Sequence, residues 1–374
     1  MRVLVIAPSL RNTSPGSRFR IEQWMPYLES EGVEFTYAPF EDEELHQIIY
    51  TQGNRLEKAH RILRAFARRF GLLPGLRRYD VAFIYEEAAR LGPAIVERLI
   101  ARLGVPIVYD FCDPIYLPYK SPSNQHLSYL KFFGKTAAIC RLARQVIVGN
   151  EDLAAYARRY NSAVTVIPIT IDTTAYQPRP SAMPHEGEVP VIGWSGSHST
   201  VRLLDERRDM LRDLRKKRVF RLGVIGTPRY HVDGVEVDAR PWRLESEVED
   251  LYTFDIGIMP LPDDPWVRLR THLKSRQYMG LGIPCVASPV GVNRELIRDG
   301  VDGMLAARDE EWTRKLALLI DDAALRRRLG AAGRKTIEER YSAAQWAPRV
   351  LQILRIAAGE SRTTARTVEA SRLA

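Results

Sequence analysis

Two short apolar runs separated by a basic segment constrain the fold more than any other feature of the chain. They lie in residues 255–303, DIGIMPLPDDPWVRLRTHLKSRQYMGLGIPCVASPVGVNRELIRDGVDG. Residues 256–261 and 284–287 read as strands buried in a parallel sheet. Between them come a Pro/Asp-rich loop and a basic helix start carrying Arg268, Arg270, Lys274 and Arg276. In a parallel α/β sheet this order brings a helix N-terminus and several cations to the carboxyl edge of the strands, where such sheets bind ligands. The expected guest is an anion, with a diphosphate as the candidate.

The same alternation of apolar runs and helical segments recurs along the chain. MRVLVIAPS at the N-terminus is too short for a signal peptide or a span and reads as a first strand. Residues 33–37, 80–85, 106–109, 145–148 and 164–167 read as further strands, and 189–193 and 220–225 open a second series. A length of 374 residues suits two domains of roughly 150 residues each. Pro178, Pro180 and Pro184, in a stretch without periodicity, set the expected boundary near residue 185. The predicted division is an N-terminal domain over 1–185, a second over 186–345, a last helix over 346–358 and a tail over 359–374 that lacks an apolar pattern and is expected to be disordered. The net charge of +9 suits an anionic substrate, an anionic membrane surface or nucleic acid. No aromatic RNA-binding signature, zinc spacing or basic low-complexity arm accompanies it, so nucleic acid is not the expected partner. Cys112, Cys140 and Cys285 are scattered in apolar contexts, which predicts buried thiols in a reducing compartment and no disulfide framework. No stretch holds the ~20 uninterrupted apolar residues that spanning requires. A cytoplasmic protein, free or peripheral at the inner face of the membrane, is therefore expected.

Several positions carry both a chemical and a structural reading. Arg18 and Arg20 follow Pro15 and Gly16 in a polar loop over 11–20 and on the residues alone read as solvated charges, although a guanidinium fork can also bind phosphate oxygens bidentately. The helix expected over 21–32 holds Ile21, Trp24, Met25 and Leu28 at core spacing, with a kink at Pro26. Asp110 and Asp113 sit in DFCDP just past a strand end, where catalytic side chains collect, although either could cap a turn. Gly193 and Gly196 lie in a strand-to-helix turn, with Ser197 or Ser199 as the next cap and free amides aimed at an anion. Residues 55–78 are the most lopsided in charge, with Arg55, Lys58, Arg61, Arg64, Arg68, Arg69, Arg77 and Arg78 against Glu57 alone. Such a helix can dock on anionic lipid, inserting Phe66, Phe70 and Leu73, or pack on the sheet with a solvated basic face.

Three segments resemble family 4 glycosyltransferases: KSRQYMGLGIPCVASPVGVNRELIRDGVDG, PVIGWSGSHST over 190–200, and SPGSRFRIEQWMPYLESEG over 14–32. GRKTIEERYS is similar to the family's C-terminal region, and the resemblance extends to about Ala357. It implies an α/β protein of the GT-B fold, two facing Rossmann-like domains with a C-terminal helix crossing back to the first. It also implies transfer of a sugar from a nucleotide-diphosphate donor to a glycan, a lipid-linked sugar or a small molecule, with retention of configuration and no obligatory metal or other cofactor. On that pattern Gly16, Arg18, Gly196, Ser197, Arg270, Lys274 and Gln277 meet the donor. Asp113, which matches the family's acidic position more closely than Asp110, acts on the acceptor hydroxyl. Membrane contact through residues 55–78 gains support because many family members act on lipid-linked acceptors. The chain departs from the pattern where two glutamates eight positions apart are replaced by Leu269 and Gln277, and where Thr170 stands for a glycine. A sugar-nucleotide epimerase of the same fold and a catalytically silent nucleotide-binding homologue are the alternative readings.

Overall fold

The computed structural model describes residues 1–49, 51, 53–118, 131–180, 189–197 and 200–360. The chain divides into two compact units: Met1–Ile167 with the described residues from Trp346 onward, and Pro168–Gln345.

The first unit is built on strands β1 (Arg2–Ala7), β2 (Glu34–Pro39), β3 (Val81–Tyr85), β4 (Ile107–Phe111), β5 (Gln145–Val148) and β6 (Val164–Val166). They form one sheet in the order β2-β1-β3-β4-β5-β6, with every neighbouring pair parallel. All five residues of β3 and of β4 are buried, because helices cover both faces of such a sheet and leave no polar side. The chain passes from β1 to β2 on one side and then returns past β1 to β3. That reversal opens a crevice at the carboxyl ends of β1 and β3.

The segment after β1 is helical earlier than the sequence suggests. A turn over Pro15–Ser17 runs into a π-helical turn over Arg18–Glu22 and then the helix Gln23–Glu29, which contains Pro26. The wide turn takes Arg20 out of helical geometry, at φ −122° and ψ −115°, and buries it. No periodicity foretells such a bulge, since it changes the rotation per residue within a single turn.

The basic stretch forms the helix Arg55–Gly71 followed by a 3₁₀ turn over Leu73–Arg78. Pro74 explains the break, because it lacks the amide that an α-helix would need there. Arg69 is buried. Its three donor nitrogens reach the carbonyls of Ala88, Ala38 and Ala7 at 2.6, 2.6 and 2.7 Å. One planar fork thus closes the carboxyl ends of β1 and β2 and the loop after β3. Phe66 packs edge-on against Phe40 at 5.3 Å, and Leu73 lies against the main core.

The second unit carries β7 (Val191–Ser195), β8 (Arg221–Ile225), β9 (Glu236–Arg240), β10 (Ile256–Met259), β11 (Cys285–Ala287) and β12 (Met304–Leu305). Their order is β12-β11-β10-β7-β8-β9, again parallel throughout. From β7 the chain builds outward to β9, then returns to the other side to build β10 to β12. The reversal falls between β7 and β10. Gly193 and Gly223 are required by the Phe254 ring, which a Cβ at either position would meet at 1.9 or 2.6 Å. The edge strands β9 and β12 escape a reading based on apolar runs: EVDAR alternates charge with small apolar groups, and β12 spans two residues.

The division between units falls at Ile167 and Pro168 instead of near residue 185. Ile171 is fully buried and bonds across Tyr341 and Ala343 at 2.8 and 2.9 Å, and Tyr176 is buried too. Arg334 holds the carbonyls of Thr173 and Tyr176. Proline content marked a stretch without regular structure, but these contacts tie the residues before it to the second unit. Pro184 lies outside the described residues. The helix Ala343–Ala358 ends the described fold, and from Trp346 onward it belongs to the first unit, with Val350, Ile353, Leu354 and Ala357 buried. Apart from Gly359 and Glu360, the expected tail lies outside the described residues.

Replacing Arg69 by Met keeps the apolar stem but takes the fork away from the carbonyls of Ala38 and Ala88, while that of Ala7 keeps the Phe40 amide at 2.8 Å. At roughly 1–3 kcal/mol for each unsatisfied group, the first unit should lose about 2 kcal/mol or more of stability. Urea denaturation of Arg69→Met against the parent measures it. Arg69→Lys should recover only part, because an ammonium cannot reproduce the fork.

Candidate active site

At the reversal in the second unit, β7 ends in Ser195 and turns through Gly196. The Gly196 amide donates to the Ile225 carbonyl at 2.9 Å. The backbones come so close that a Cβ on Gly226, held at φ +96°, would lie 1.7 Å from the Gly196 carbonyl oxygen. A Cβ on Gly196 itself would meet the Trp194 ring at 2.4 Å and the Lys274 Nζ at 2.6 Å. Only glycine fits either place. Lys274 projects from the helix Leu273–Gly280, which follows the loop after β10, and its Nζ stands 4.2 Å from the centre of the Trp194 ring. Burial, then the charge of Arg270, pull its ammonium down to about 7. Among the described residues no carboxylate pairs with it. Arg270 lies over Trp266 at 4.8 Å, in a loop whose short helix Pro265–Arg268 is capped by Asp264 through the amides of Trp266 and Val267 at 2.9 and 3.0 Å.

His272 enters that helix in the left-handed region, at φ +47°, where a non-glycine residue is uncommon. Its Nε2 donates to the Val267 carbonyl at 2.9 Å, and burial, then Arg270, hold the imidazole down near 3. It is therefore neutral and structural. Arg270 and Lys274 sense each other's charge at this edge, whereas Arg268 pairs with Asp263 and Arg276 holds the carbonyls of Thr271 and His272.

Two sequence expectations change here. The Gly196 and Ser197 amides are engaged, by the Ile225 carbonyl and by Thr200 Oγ1 at 3.0 Å, because the turn satisfies its own backbone. Ser199, the alternative cap, lies outside the described residues. Gln277 is only 5% exposed. Its Nε2 donates to the Tyr176 hydroxyl at 3.2 Å and to Glu247 Oε1 at 3.4 Å. Glu247 also accepts from Tyr176 at 2.6 Å and Trp242 at 2.9 Å. Glu247 is thus a carboxylate next to Gln277 that no local pattern reveals, since 30 residues separate them in sequence.

In the first unit, the loop after β1 meets the end of β3. A Cβ on Gly16 would lie 2.1 Å from the Tyr85 hydroxyl, so glycine there is a requirement of packing. Arg18 is half-buried with its guanidinium 5.2 Å from the Phe19 ring. Arg20, read from sequence as a second phosphate fork or a solvated charge, is neither. It grips Asp110 through Nη2–Oδ1 and through Nε–Oδ2 at 3.1 Å, takes the Ile167 carbonyl, and lies over Trp24 at 4.8 Å. Burial disfavours the guanidinium, and the carboxylate more than offsets it, leaving Arg20 above its ordinary range. Asp110 is thereby a structural partner. Asp113, two residues past β4, remains half-buried at the carboxyl edge. Among the described residues no cluster of three or more His, Cys, Asp and Glu could hold a metal ion.

Two parallel Rossmann-like sheets, each with a crevice at its reversal point, define the GT-B fold. Sucrose-phosphate synthase from Thermosynechococcus elongatus is similar over 96% of this chain and 100% of its own, at 16% identity and a TM-score of 0.67. A glycosyltransferase from Rickettsia africae is similar over 96% and 99%, at 14% identity and a TM-score of 0.65. HepE from Anabaena, solved with UDP-glucose, is similar over 95% and 99%, at 15% identity and a TM-score of 0.66. Residues 277–336 match the family model described as glycosyl transferases group 1. No match was found among curated proteins.

The two aspartates after β4 should separate cleanly. Asp110→Asn breaks a buried ion pair and should cost roughly 3–5 kcal/mol. Asp113→Asn should leave the melting temperature close to the parent. Calorimetric melting of both variants is the measurement, and equal losses would assign Asp113 to the fold as well.

Proposed function

We propose that the protein is a glycosyltransferase of family 4 type, moving a sugar from a nucleotide-diphosphate donor to an acceptor hydroxyl with retention and without an obligatory metal. The observation that carries this reading is Lys274, an ammonium kept without a carboxylate partner among the described residues, at the reversal point of a Rossmann-like sheet. A cation in that setting calls for an anion, and the carboxyl edge is where α/β sheets bind nucleotides. The leaving group is a nucleoside diphosphate, so negative charge grows on it as the glycosidic bond breaks. Lys274 and Arg270 are fixed donors for that charge in place of a metal. The group 1 family model over residues 277–336 and the UDP-glucose complex of HepE support this reading. Gly16 and Arg18 are the proposed donor contacts of the first unit, and Gly196 and Ser197 the close backbone of the second. Gln277, with Glu247, is the proposed polar wall for the ribose. Asp113 is the proposed acceptor-side carboxylate, which orients the hydroxyl or accepts its proton.

A nucleotide-binding homologue without turnover is the second reading, favoured by Leu269 at an acidic position and by the burial of Gln277. Incubation with a panel of nucleotide sugars decides between them. Release of nucleoside diphosphate supports the transferase; binding without release supports the silent homologue.

Protonation makes the phosphate contact measurable. Lys274 is largely neutral above about pH 7 in the free protein, and an adjacent diphosphate favours its charged form. UDP binding at pH 8 should therefore take up close to one proton, and affinity should fall by up to roughly tenfold per pH unit above 7. Lys274→Ala should weaken UDP by about tenfold or more and abolish the uptake, while uridine binding barely changes. Calorimetry in buffers of different ionisation enthalpy reads all three. Equal loss for uridine and UDP would remove Lys274 from the diphosphate site.

The basic helix is proposed to make a reversible contact with anionic membrane on a protein that is otherwise cytoplasmic. No helix among the described residues is long and apolar enough to cross a membrane. Leu56, Leu63 and Phe70, spaced seven apart, are 89, 67 and 41% exposed, and Arg55, Arg64 and Arg68 are exposed beside them. Phe70 keeps the role read from sequence, while Leu56 and Leu63 take the places of Phe66 and Leu73, which pack inward. Arg69 is likewise unavailable to headgroups. Co-sedimentation should show binding to phosphatidylserine vesicles at low salt, loss at high salt, and loss in Leu63→Glu. Equal binding to neutral and anionic vesicles would sink the idea.

A further inference from the structure

The reversal point of the first sheet lies between β1 and β3, and the residue that leaves β3 there is Glu86. It is held at φ +56°, a region where a glutamate is uncommon and where backbone strain persists only if the surroundings impose it. They do. The Glu86 amide donates to the Asp110 carbonyl at 2.7 Å, and its carbonyl accepts from the Tyr109 hydroxyl at 2.8 Å. Both backbone groups are pinned to β4, so the side chain leaves the sheet at the crevice instead of continuing the strand's alternation. Its Oε1 accepts from the Tyr85 hydroxyl at 3.1 Å, and that oxygen also lies 3.3 Å from Cys112 Sγ. The Tyr85 hydroxyl is in turn the group that forbids a side chain at Gly16.

We propose that Glu86 is a positioning residue of the acceptor site: it holds a proton on Oε2 and donates it in a hydrogen bond to one acceptor hydroxyl, while Asp113 accepts from the adjacent hydroxyl. The substrate class is a neutral vicinal diol, as in an unphosphorylated glycan or glycoside. The proposal rests on the glycosyltransferase reading above. Geometry supplies the pair, since Glu86 and Asp113 leave neighbouring strands at the same edge. The electrostatics agree. Burial, then the charges of Asp113 and Glu87, push the Glu86 carboxyl up to about 7, with Arg90 and the Tyr85 hydroxyl acting the other way. The other charged and titratable groups near it are Cys112 and Lys131. Lys135 is committed to Glu87 and to the Ala89 carbonyl, Arg90 binds Glu41 and Ser9, and Arg20 beneath the pair is committed to Asp110. One carboxyl of the two thus donates and the other accepts, which suits two neighbouring hydroxyls.

The test uses the full chain, saturating nucleotide sugar so that Lys274 does not enter, and methyl glycosides as acceptor probes beside the matching sugar phosphates. Wild-type kcat/KM for the glycoside should fall roughly tenfold per pH unit above 7. Glu86→Gln, which can donate at any pH, should give a flat profile there and overtake the wild type by pH 8.5. Glu86→Ala should raise the glycoside KM at every pH while nucleotide binding stays unchanged. A second readout is independent of activity. A carboxyl at about 7 when folded and about 4.3 when unfolded leaves the folded chain holding more protons between those values, so stability falls as pH rises across that window. Glu86→Gln should lack this decline in its melting series from pH 4.5 to 8. Superimposable pH profiles or melting series for wild type and Glu86→Gln, a preference for the sugar phosphate, or hydrolysis without transfer to any glycoside would overturn the assignment while leaving the transferase reading in place. No nucleotide-sugar turnover by the wild type would overturn both.

Discussion

Each sheet of this protein changes direction at one place, and the chemistry depends on that change. Where two adjacent parallel strands send their connections to opposite sides, their carboxyl ends are left uncovered and a crevice opens. In the first unit the pair is β1 and β3, and in the second β7 and β10. Gly16, Glu86, Gly196 and the loop leading to Lys274 all sit at these two places. The strands are fixed by apolar burial on both faces, which leaves their ends as the positions free to carry polar function.

The two crevices differ in charge. Around Gly196 the backbone of β8 approaches so closely that no side chain fits, and the space is shared by an indole and an ammonium. Desolvation makes that ammonium costly to keep charged, which is the condition under which an incoming anion gains most. Around Gly16 the edge is acidic, with Glu86, Glu87 and Asp113 following β3 and β4. Burial, then the charges of Asp113 and Glu87, raise the proton affinity of Glu86 there. A cationic edge suits an anion such as a diphosphate, whereas an acidic edge that retains a proton suits neutral hydroxyls.

Buried arginines do the structural work beneath these sites. Arg69 closes the ends of β1 and β2, and Arg20 anchors Asp110 under the first crevice. In the second unit Arg334 holds the carbonyls of Thr173, Tyr176 and Gly280, and Arg276 those of Thr271 and His272. Arg69, Arg334 and Arg276 each hold two or three carbonyls and Arg20 holds that of Ile167, and in the interior such groups are expensive to leave unpaired. These four cations are therefore committed to the fold.

The sequence by itself determined the class of fold. Its apolar runs are the length that parallel strands need, and ten of the twelve strands answer to them, because burial on both faces leaves a mark that requires no tertiary information. It also put Arg270 and Lys274 close together in the chain, although Arg270 lies in the loop before the helix Leu273–Gly280 and not on one face of it with Lys274. What only the tertiary structure decided are the roles of groups brought together from distant positions. Arg18 and Arg20 are the same residue type two positions apart, yet a π-helical turn sends one into an ion pair with Asp110, 90 residues away. Gln277 meets Glu247 and Tyr176, 30 and 101 residues away. Glu86 acquires its left-handed backbone from contacts with Asp110 and Tyr109 of β4, and its raised proton affinity from burial and from the charges of Asp113 and Glu87. Periodicity records which face of an element is buried, whereas burial of a charge beside a particular partner is settled by packing between elements, and no single stretch of sequence contains that.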